Sequence, residues 1–113
     1  MTHRSQAKLR FKGSAPVFAA LGDETRLAIV ARLSTGGPRS IAGLTEGSTV
    51  TRQAITKHLH VLAGAGLVRG VRRGRERIWE LEARRLDEAR QYLAEISKHW
   101  DVALESLRKF VEN

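Results

Sequence analysis

The 113-residue chain contains no cysteine. That removes disulfides, thiolate metal sites, thiol redox switching and a cysteine nucleophile in one step. Aromatic residues make up only 5% of the chain, within a hydrophobic fraction of 42%, so the core is modest and mostly aliphatic. A domain this small leaves much of its surface open, and help from a partner subunit is expected. No run approaches the roughly 18 apolar residues of a membrane span. The first thirteen residues are polar and basic, without the apolar centre of a secretory signal, and the expected setting is cytoplasmic, with no membrane partner. Acidic residues are also few: 12 Asp and Glu stand against 20 Lys and Arg, a formal charge of +8. Such an excess attracts polyanions.

The excess is unevenly placed. Residues 1–82 carry 14 basic and 6 acidic side chains, whereas residues 83–113 carry 6 of each. One part of the molecule suits an anionic partner and the other does not. The chain also lacks a glycine-rich phosphate loop, a paired acid–base constellation, a Ser–His triad spacing and a metal cluster, so an enzyme is not expected.

Residues 1–13 read as a basic arm. Ala15 to Leu21 forms a short apolar helix with Pro16 in its first turn. Asp23 caps a second helix, Glu24 to Leu33, whose Leu27, Val30 and Ala31 are expected to face the core. Thr35-Gly36-Gly37-Pro38 is a loop by composition. Ser40 caps a third helix carrying Ile41 and Leu44, and after a turn containing Gly47, Thr51 caps a fourth that runs to about Ala63. Val68 to Val71 and Glu76 to Leu81 are strands joined through Arg72-Arg73-Gly74-Arg75, a hairpin signal. From Arg84 to Val111 there is one long helix without Gly or Pro. The fold class is mainly α with a small β-hairpin wing, in the order α-α-α-α-β-β-α. Its organisation is an arm (1–13), a winged helix-turn-helix (14–82) and a C-terminal dimerisation helix (83–113).

The fourth helix has two faces. At 100° per residue Ile55, Leu59 and Leu62 form one stripe, while Gln53, Lys57 and His60 lie opposite, with Thr56 beside them. Glutamine can bond an adenine edge twice, lysine can reach guanine O6 or N7, and threonine offers a hydroxyl or a methyl. Thr51 and Arg52, at the helix start, are placed for phosphates. A solvated surface helix would show a similar polar face. The hairpin decides between them: Arg69, Arg72, Arg73, Arg75 and Arg77 crowd into nine residues, opposed by Glu76, and that repulsion is relieved by a polyanion. His58 flanks the buried stripe and is expected to pack, its ring bonded to nearby backbone. His60 is the better candidate for a contact.

Three passages carry a family resemblance. Val50-Thr51-Arg52-Gln53-Ala54-Ile55-Thr56-Lys57-His58-Leu59-His60-Val61-Leu62 resembles the recognition helix of ArsR/SmtB-type repressors. Ala65-Gly66-Leu67-Val68 resembles the passage leading those proteins into the wing, and Leu21-Gly22-Asp23-Glu24-Thr25-Arg26-Leu27 is similar to their opening signature. The resemblance covers roughly residues 15–82, with the motifs in the family's order. It implies a homodimeric repressor bound to an imperfect palindrome in double-stranded DNA and released by an inducer. Many members place glycine immediately before the position of Val50; Thr49 stands there in this chain, with Gly47 earlier, which implies a wider turn.

Relatives sense metals through cysteines on the helix before the recognition helix, and that chemistry is excluded here. A second family site uses Asp and His pairs on the terminal helices. His99 and Asp101 are two residues apart and point roughly 160° from each other, so no complete site forms. His3, in the arm, and His58 and His60, in the fourth helix, read as ordinary surface or packing histidines rather than metal ligands. No metal and no cofactor is expected, and the inducer is unidentified.

In the last helix Leu86, Ala89, Leu93, Ile96, Trp100, Ala103, Leu107 and Phe110 alternate at spacings of three and four, a heptad-like seam. Part must cover the body and part can meet a second subunit. The expected dimer interface comprises Val17, Phe18, Leu21, Leu86, Leu93, Ile96, Trp100, Leu107 and Phe110. The rival readings are a non-specific architectural DNA-binding protein, which has no need of the uncharged Gln53 and Thr56 facing outward, and an interaction module for an acidic protein.

Overall fold

The computed structural model describes residues 14–112. The basic arm 1–13, with His3, and the last residue, Asn113, lie outside the described residues. In chain order the elements are α1 (residues 14–21), α2 (Glu24–Gly36), β1 (Arg39–Ser40), α3 (Ile41–Thr45), α4 (Arg52–Gly64), β2 (Val68–Arg73), β3 (Glu76–Leu81) and α5 (Ala83–Glu112).

Side-chain caps start three of the helices. Asp23 accepts the Arg26 N–H, Ser40 the Gly43 N–H and Thr51 the Ala54 N–H, each from an extended backbone conformation, so each satisfies a donor with no partner inside its helix. The helix-turn-helix is α3 and α4. Its turn contains Gly47, at φ 73°, and is tied by the Ser48 N–H on the Thr45 carbonyl at 2.9 Å and the Val50 N–H on Ser48 Oγ at 3.0 Å.

The passage after α4 has a specific geometry. The Leu67 N–H reaches the Leu62 carbonyl at 3.0 Å and the Gly66 N–H reaches the Ala63 carbonyl at 2.9 Å, with Gly66 at φ 79°. This pair of bonds is the Schellman motif, which requires a left-handed residue and therefore favours glycine. Its accompanying apolar pair, Leu62 and Leu67, is fully buried. The motif turns the chain from α4 directly into β2.

β2 and β3 pair antiparallel from Val68↔Leu81 to Arg73↔Glu76. The two-residue loop has positive φ at Gly74, 62°, and not at Arg75, the pattern of a type II′ hairpin. β1 adds to the other edge of β3, giving the order β1-β3-β2. The core joins Val17 and Ala20 of α1, Ile29 and Leu33 of α2, Leu44 of α3, the Ile55–Leu59–Leu62 stripe, Leu67, Val68, Trp79 and Ala89.

Several expectations change. Leu27 is 52% exposed and Ala31 is exposed, while Val30 is half-buried. The buried residues of α2 are Ile29 and Leu33, and Leu27 and Ala31 lie more than 100° round the helix from that direction. α2 continues through Thr35 and Gly36 instead of yielding to a loop, and ends at Gly37, whose N–H bonds the Leu33 carbonyl. The strand β1 was not foreseen, and β2 extends past Val71 to Arg73. Val17, expected at a dimer interface, is 1% exposed within its own subunit's core.

α5 has 30 residues, about 45 Å at 1.5 Å per residue, and gives the molecule its 65 × 35 × 20 Å outline. Leu86 and Ala89 pack on the body, and Tyr92 meets the Phe18 ring at 5.8 Å. Beyond them the helix stands clear: Leu93, Trp100, Leu107 and Phe110 are exposed, with Ile96 half-buried. Along its polar face Arg85–Glu88, Asp87–Arg90 and Glu105–Arg108 pair at 3.0, 2.8 and 3.1 Å. Among the described residues no helix is long and apolar enough to cross a membrane.

The placement of the core has a direct test. Leu59→Ala is expected to lower unfolding free energy by about 2–5 kcal/mol, as for other fully buried leucines, whereas Leu27→Ala costs about 0.5 kcal/mol or less. Urea denaturation of both variants checks this; equal losses would return Leu27 to the core.

Candidate nucleic-acid interface

α4 is held from three sides. Its stripe of Ile55, Leu59 and Leu62 is sunk in the core, which fixes the rotation of the helix about its axis. Gln53, Lys57 and His60 are consequently open to solvent, with Thr56 half-buried beside them. The Thr56 hydroxyl donates to the Arg52 carbonyl at 2.8 Å, so it offers lone pairs and its methyl to a partner. Thr51 and Arg52 are exposed at the helix start, with Thr51 Oγ1 engaged as the cap.

Two arginines from α2 set the frame. The Arg32 guanidinium donates to the Leu44 carbonyl at 2.7 Å and the Gly43 carbonyl at 3.1 Å, closing the C-terminal end of α3. Arg26 donates through Nε to the Ala20 carbonyl at 2.5 Å, and its Nη1 lies 3.3 Å from His58 Nδ1. His58 therefore packs against side chains of α2 rather than against backbone, with Asp23 Oδ2 at 3.8 Å. α1, α2 and α4 meet at this cluster. The Asp23 carboxyl is held below the ordinary 3.8, first by the Arg26 N–H; loss of water opposes the shift, and the charges of Arg26 and His58 and the Thr25 N–H assist it. The opening signature motif, residues 21–27, is thus the seat of the recognition helix. In the sequence Arg26 was named only within the opening signature and Arg32 not at all, since each looks like one more surface cation.

The hairpin resolves its arginines into two groups. Arg69 stands opposite Glu80 and bonds it at 2.6 Å, with Glu82 at 2.9 Å; these carboxylates raise its pKa. Arg69 therefore leaves the repulsive cluster, which Glu76 does not oppose alone. Arg72, Arg73 and Arg75 are exposed, and among the described residues none makes an ion pair. Arg72 is directly opposite Arg77, a like-charge pairing that destabilises a hairpin in isolation. Arg77 lies over the Trp79 ring, 5.7 Å from its centroid. On α4, His60 meets the same ring edge-on at 6.2 Å. The polar face of α4 and the hairpin are thus neighbours, joined through Trp79, a residue the sequence analysis did not single out. A tryptophan in an otherwise aromatic-poor strand was the available signal.

A short helix pair with an outward polar face, flanked by a cationic hairpin, defines a winged helix-turn-helix DNA-binding protein. A family profile described as a helix-turn-helix domain matches residues 21–71. The chain is 33% identical over 94 residues to the HTH-type transcriptional regulator Rv2034 of Mycobacterium tuberculosis, covering 83% of this chain and 84% of that one. An ArsR-like transcriptional regulator from Rhodococcus sp. RHA1 superposes with a TM-score of 0.75 at 36% identity, covering 88% of this chain and 93% of that structure. A solution structure of a homodimeric winged helix-turn-helix DNA-binding domain from Mycobacterium bovis, described as a possible ArsR-family regulator, has a TM-score of 0.64 at 26% identity, with 89% of each chain covered. The chain belongs to the ArsR family and is a DNA-binding transcriptional regulator.

The Asp23 cluster carries a pH prediction. A carboxyl with a lowered folded pKa contributes stability above its unfolded value near 3.8 and loses it as pH falls through the folded value. Asp23→Asn keeps a capping oxygen but cannot titrate. The stability advantage of the wild type over this variant is expected to shrink in urea titrations taken from about pH 5 down to about pH 2.5; a constant difference would remove the carboxylate charge from the account.

Proposed function

We propose that the chain is a homodimeric repressor that occupies an imperfect palindromic operator. Residues 14–82 form the DNA-reading part and 83–113 the dimerisation helix. In each half-site α4 lies in the major groove, with Gln53, Thr56, Lys57 and His60 toward base edges and Thr51 and Arg52 toward phosphates. The wing supplies Arg72, Arg73 and Arg75 to the flanking backbone or minor groove, while Arg77 lies over the Trp79 ring.

The observation that carries this reading is the coincidence of two unsatisfied surfaces on one side of the molecule. Gln53, Lys57 and His60 on the outer face of α4 make no hydrogen bond among the described residues, and the neighbouring hairpin tip holds three arginines that make no ion pair among them. The dimer is supported by the apolar, solvent-exposed length of α5 beyond Tyr92 and by the homodimeric state of the Mycobacterium bovis domain. Phe18, Leu21 and Leu86 are half-buried within the subunit, so the interface is proposed to centre on Leu93, Ile96, Trp100, Leu107 and Phe110. A two-fold axis along α5 would present the two recognition helices to successive turns of one DNA face.

Titration of the DNA upstream of the chain's own gene, against scrambled competitor at moderate salt, tests the function. Preference for the upstream fragment supports a regulator; equal binding favours an architectural protein, and no binding an acidic-protein partner. Gln53→Ala is expected to relax base preference at one operator position, a loss of about 1–3 kcal/mol of discrimination. Arg73→Ala or Arg75→Ala is expected to weaken all sequences alike and to lower the salt slope by roughly 0.9 per lost phosphate contact. The opposite pattern would exchange the roles of helix and wing. Leu107→Glu is expected to sediment as a monomer where the wild type is a dimer; an unchanged dimer would place the interface elsewhere.

A further inference from the structure

The contacts around Trp79 exceed what a core residue needs. The ring is 4% exposed, yet its Nε1 has no hydrogen-bond partner among the described residues. Besides its core neighbours it meets two polar side chains, His60 edge-on from α4 and Arg77 over the ring from its own strand. Arg77 and Trp79 are two residues apart on β3 and so share a face of the sheet. Opposite Trp79 on β2 is Gly70. A Cβ at Gly70 would lie 2.8 Å from Arg77 Cδ and 3.1 Å from Cγ, too close for Arg77 to keep its course across the ring. The side chain missing at residue 70 is the space through which Arg77 reaches the indole.

We propose that Trp79 is a positioning residue for DNA recognition: its ring, gripped by His60 and Arg77 through the gap at Gly70, fixes the wing relative to the recognition helix. The two DNA-reading elements then meet the duplex as one preformed surface, and the entropy of ordering the wing is lost on folding rather than on binding. Arg77 acts here through the ring and not through a phosphate. The proposal rests on the DNA-binding reading above, and deepens it.

Gly70→Ala isolates the effect, because it displaces Arg77 without removing any charge. It is expected to bind the upstream DNA about fivefold more weakly, the scale of a lost cation–π contact, with the salt slope unchanged. Gly70→Ala/Arg77→Ala is expected to bind no worse than Arg77→Ala alone, since the conflict vanishes with the arginine. In the DNA-free protein the indole N–H resonance of Trp79, assigned with Trp100→Phe, is expected to shift in Gly70→Ala, Arg77→Ala and His60→Ala. That signal reads the stack whether or not DNA binds, so failure of the DNA reading is seen separately, as absence of wild-type binding. The proposal is overturned if the resonance stays in place in the Gly70 and Arg77 variants. It is equally overturned if Gly70→Ala binds as tightly as wild type, or if its loss persists in the Arg77→Ala background.

Discussion

Burial of three aliphatic side chains on one helix governs the geometry of the whole reading surface. Ile55, Leu59 and Leu62 are each almost completely withdrawn from water, and rotating α4 by even one residue position would expose part of that stripe at a cost of roughly 1.5–3 kcal/mol per side chain. The outward direction of Gln53, Lys57 and His60 follows from this constraint and needs no interaction of their own. That independence leaves their hydrogen-bonding groups free for a partner. The Schellman motif at Ala65-Gly66-Leu67 extends the same control to the hairpin, because Leu67 is buried against the stripe it follows. One patch of core thus aims both the helix and the wing.

The electrostatic design follows a division between paired and unpaired charge. Near the body and along α5, several cations are matched: Arg69 with Glu80 and Glu82, Arg85 with Glu88, Arg90 with Asp87, Arg108 with Glu105. At the hairpin tip, Arg72, Arg73 and Arg75 make no ion pair among the described residues. Exposed pairs of the first kind contribute little to stability, but they neutralise the surface away from the tip. Among the described residues, the unpaired charge of Arg72, Arg73 and Arg75 thus stands together where a duplex would meet it, which favours a single docking orientation over diffuse adhesion.

Much of this was legible in the sequence. The recognition helix could be oriented because its apolar residues occupy only one stripe and its polar residues the other. The passage into the wing could be recognised because a left-handed turn leaves a glycine between two buried aliphatic residues. α2 resisted the same treatment: Leu27, Ala28, Ile29, Val30, Ala31 and Leu33 make it apolar on most sides, and only packing against α4 and β3 selects Ile29 and Leu33. β1 is two residues long and exists through its partner β3, a non-local pairing that no local pattern announces. The pairing of Arg69 with acidic side chains likewise depends on strand register, and the roles of Arg26 and Arg32 on carbonyls 6 and 12 residues away. Residues that act through their own helix face could be read; those that act across elements required the fold.

The most direct measurement is a nuclear magnetic resonance titration of the labelled protein with a duplex carrying its operator, following side-chain amide, arginine and methyl signals residue by residue. Perturbations are expected on the Gln53 amide, the Thr56 methyl and the guanidinium groups of Arg72, Arg73 and Arg75, with the methyls of Leu59 and Leu62 undisturbed. Perturbations gathered on α2 or the tail of α5, with the outer face of α4 silent, would contradict the account.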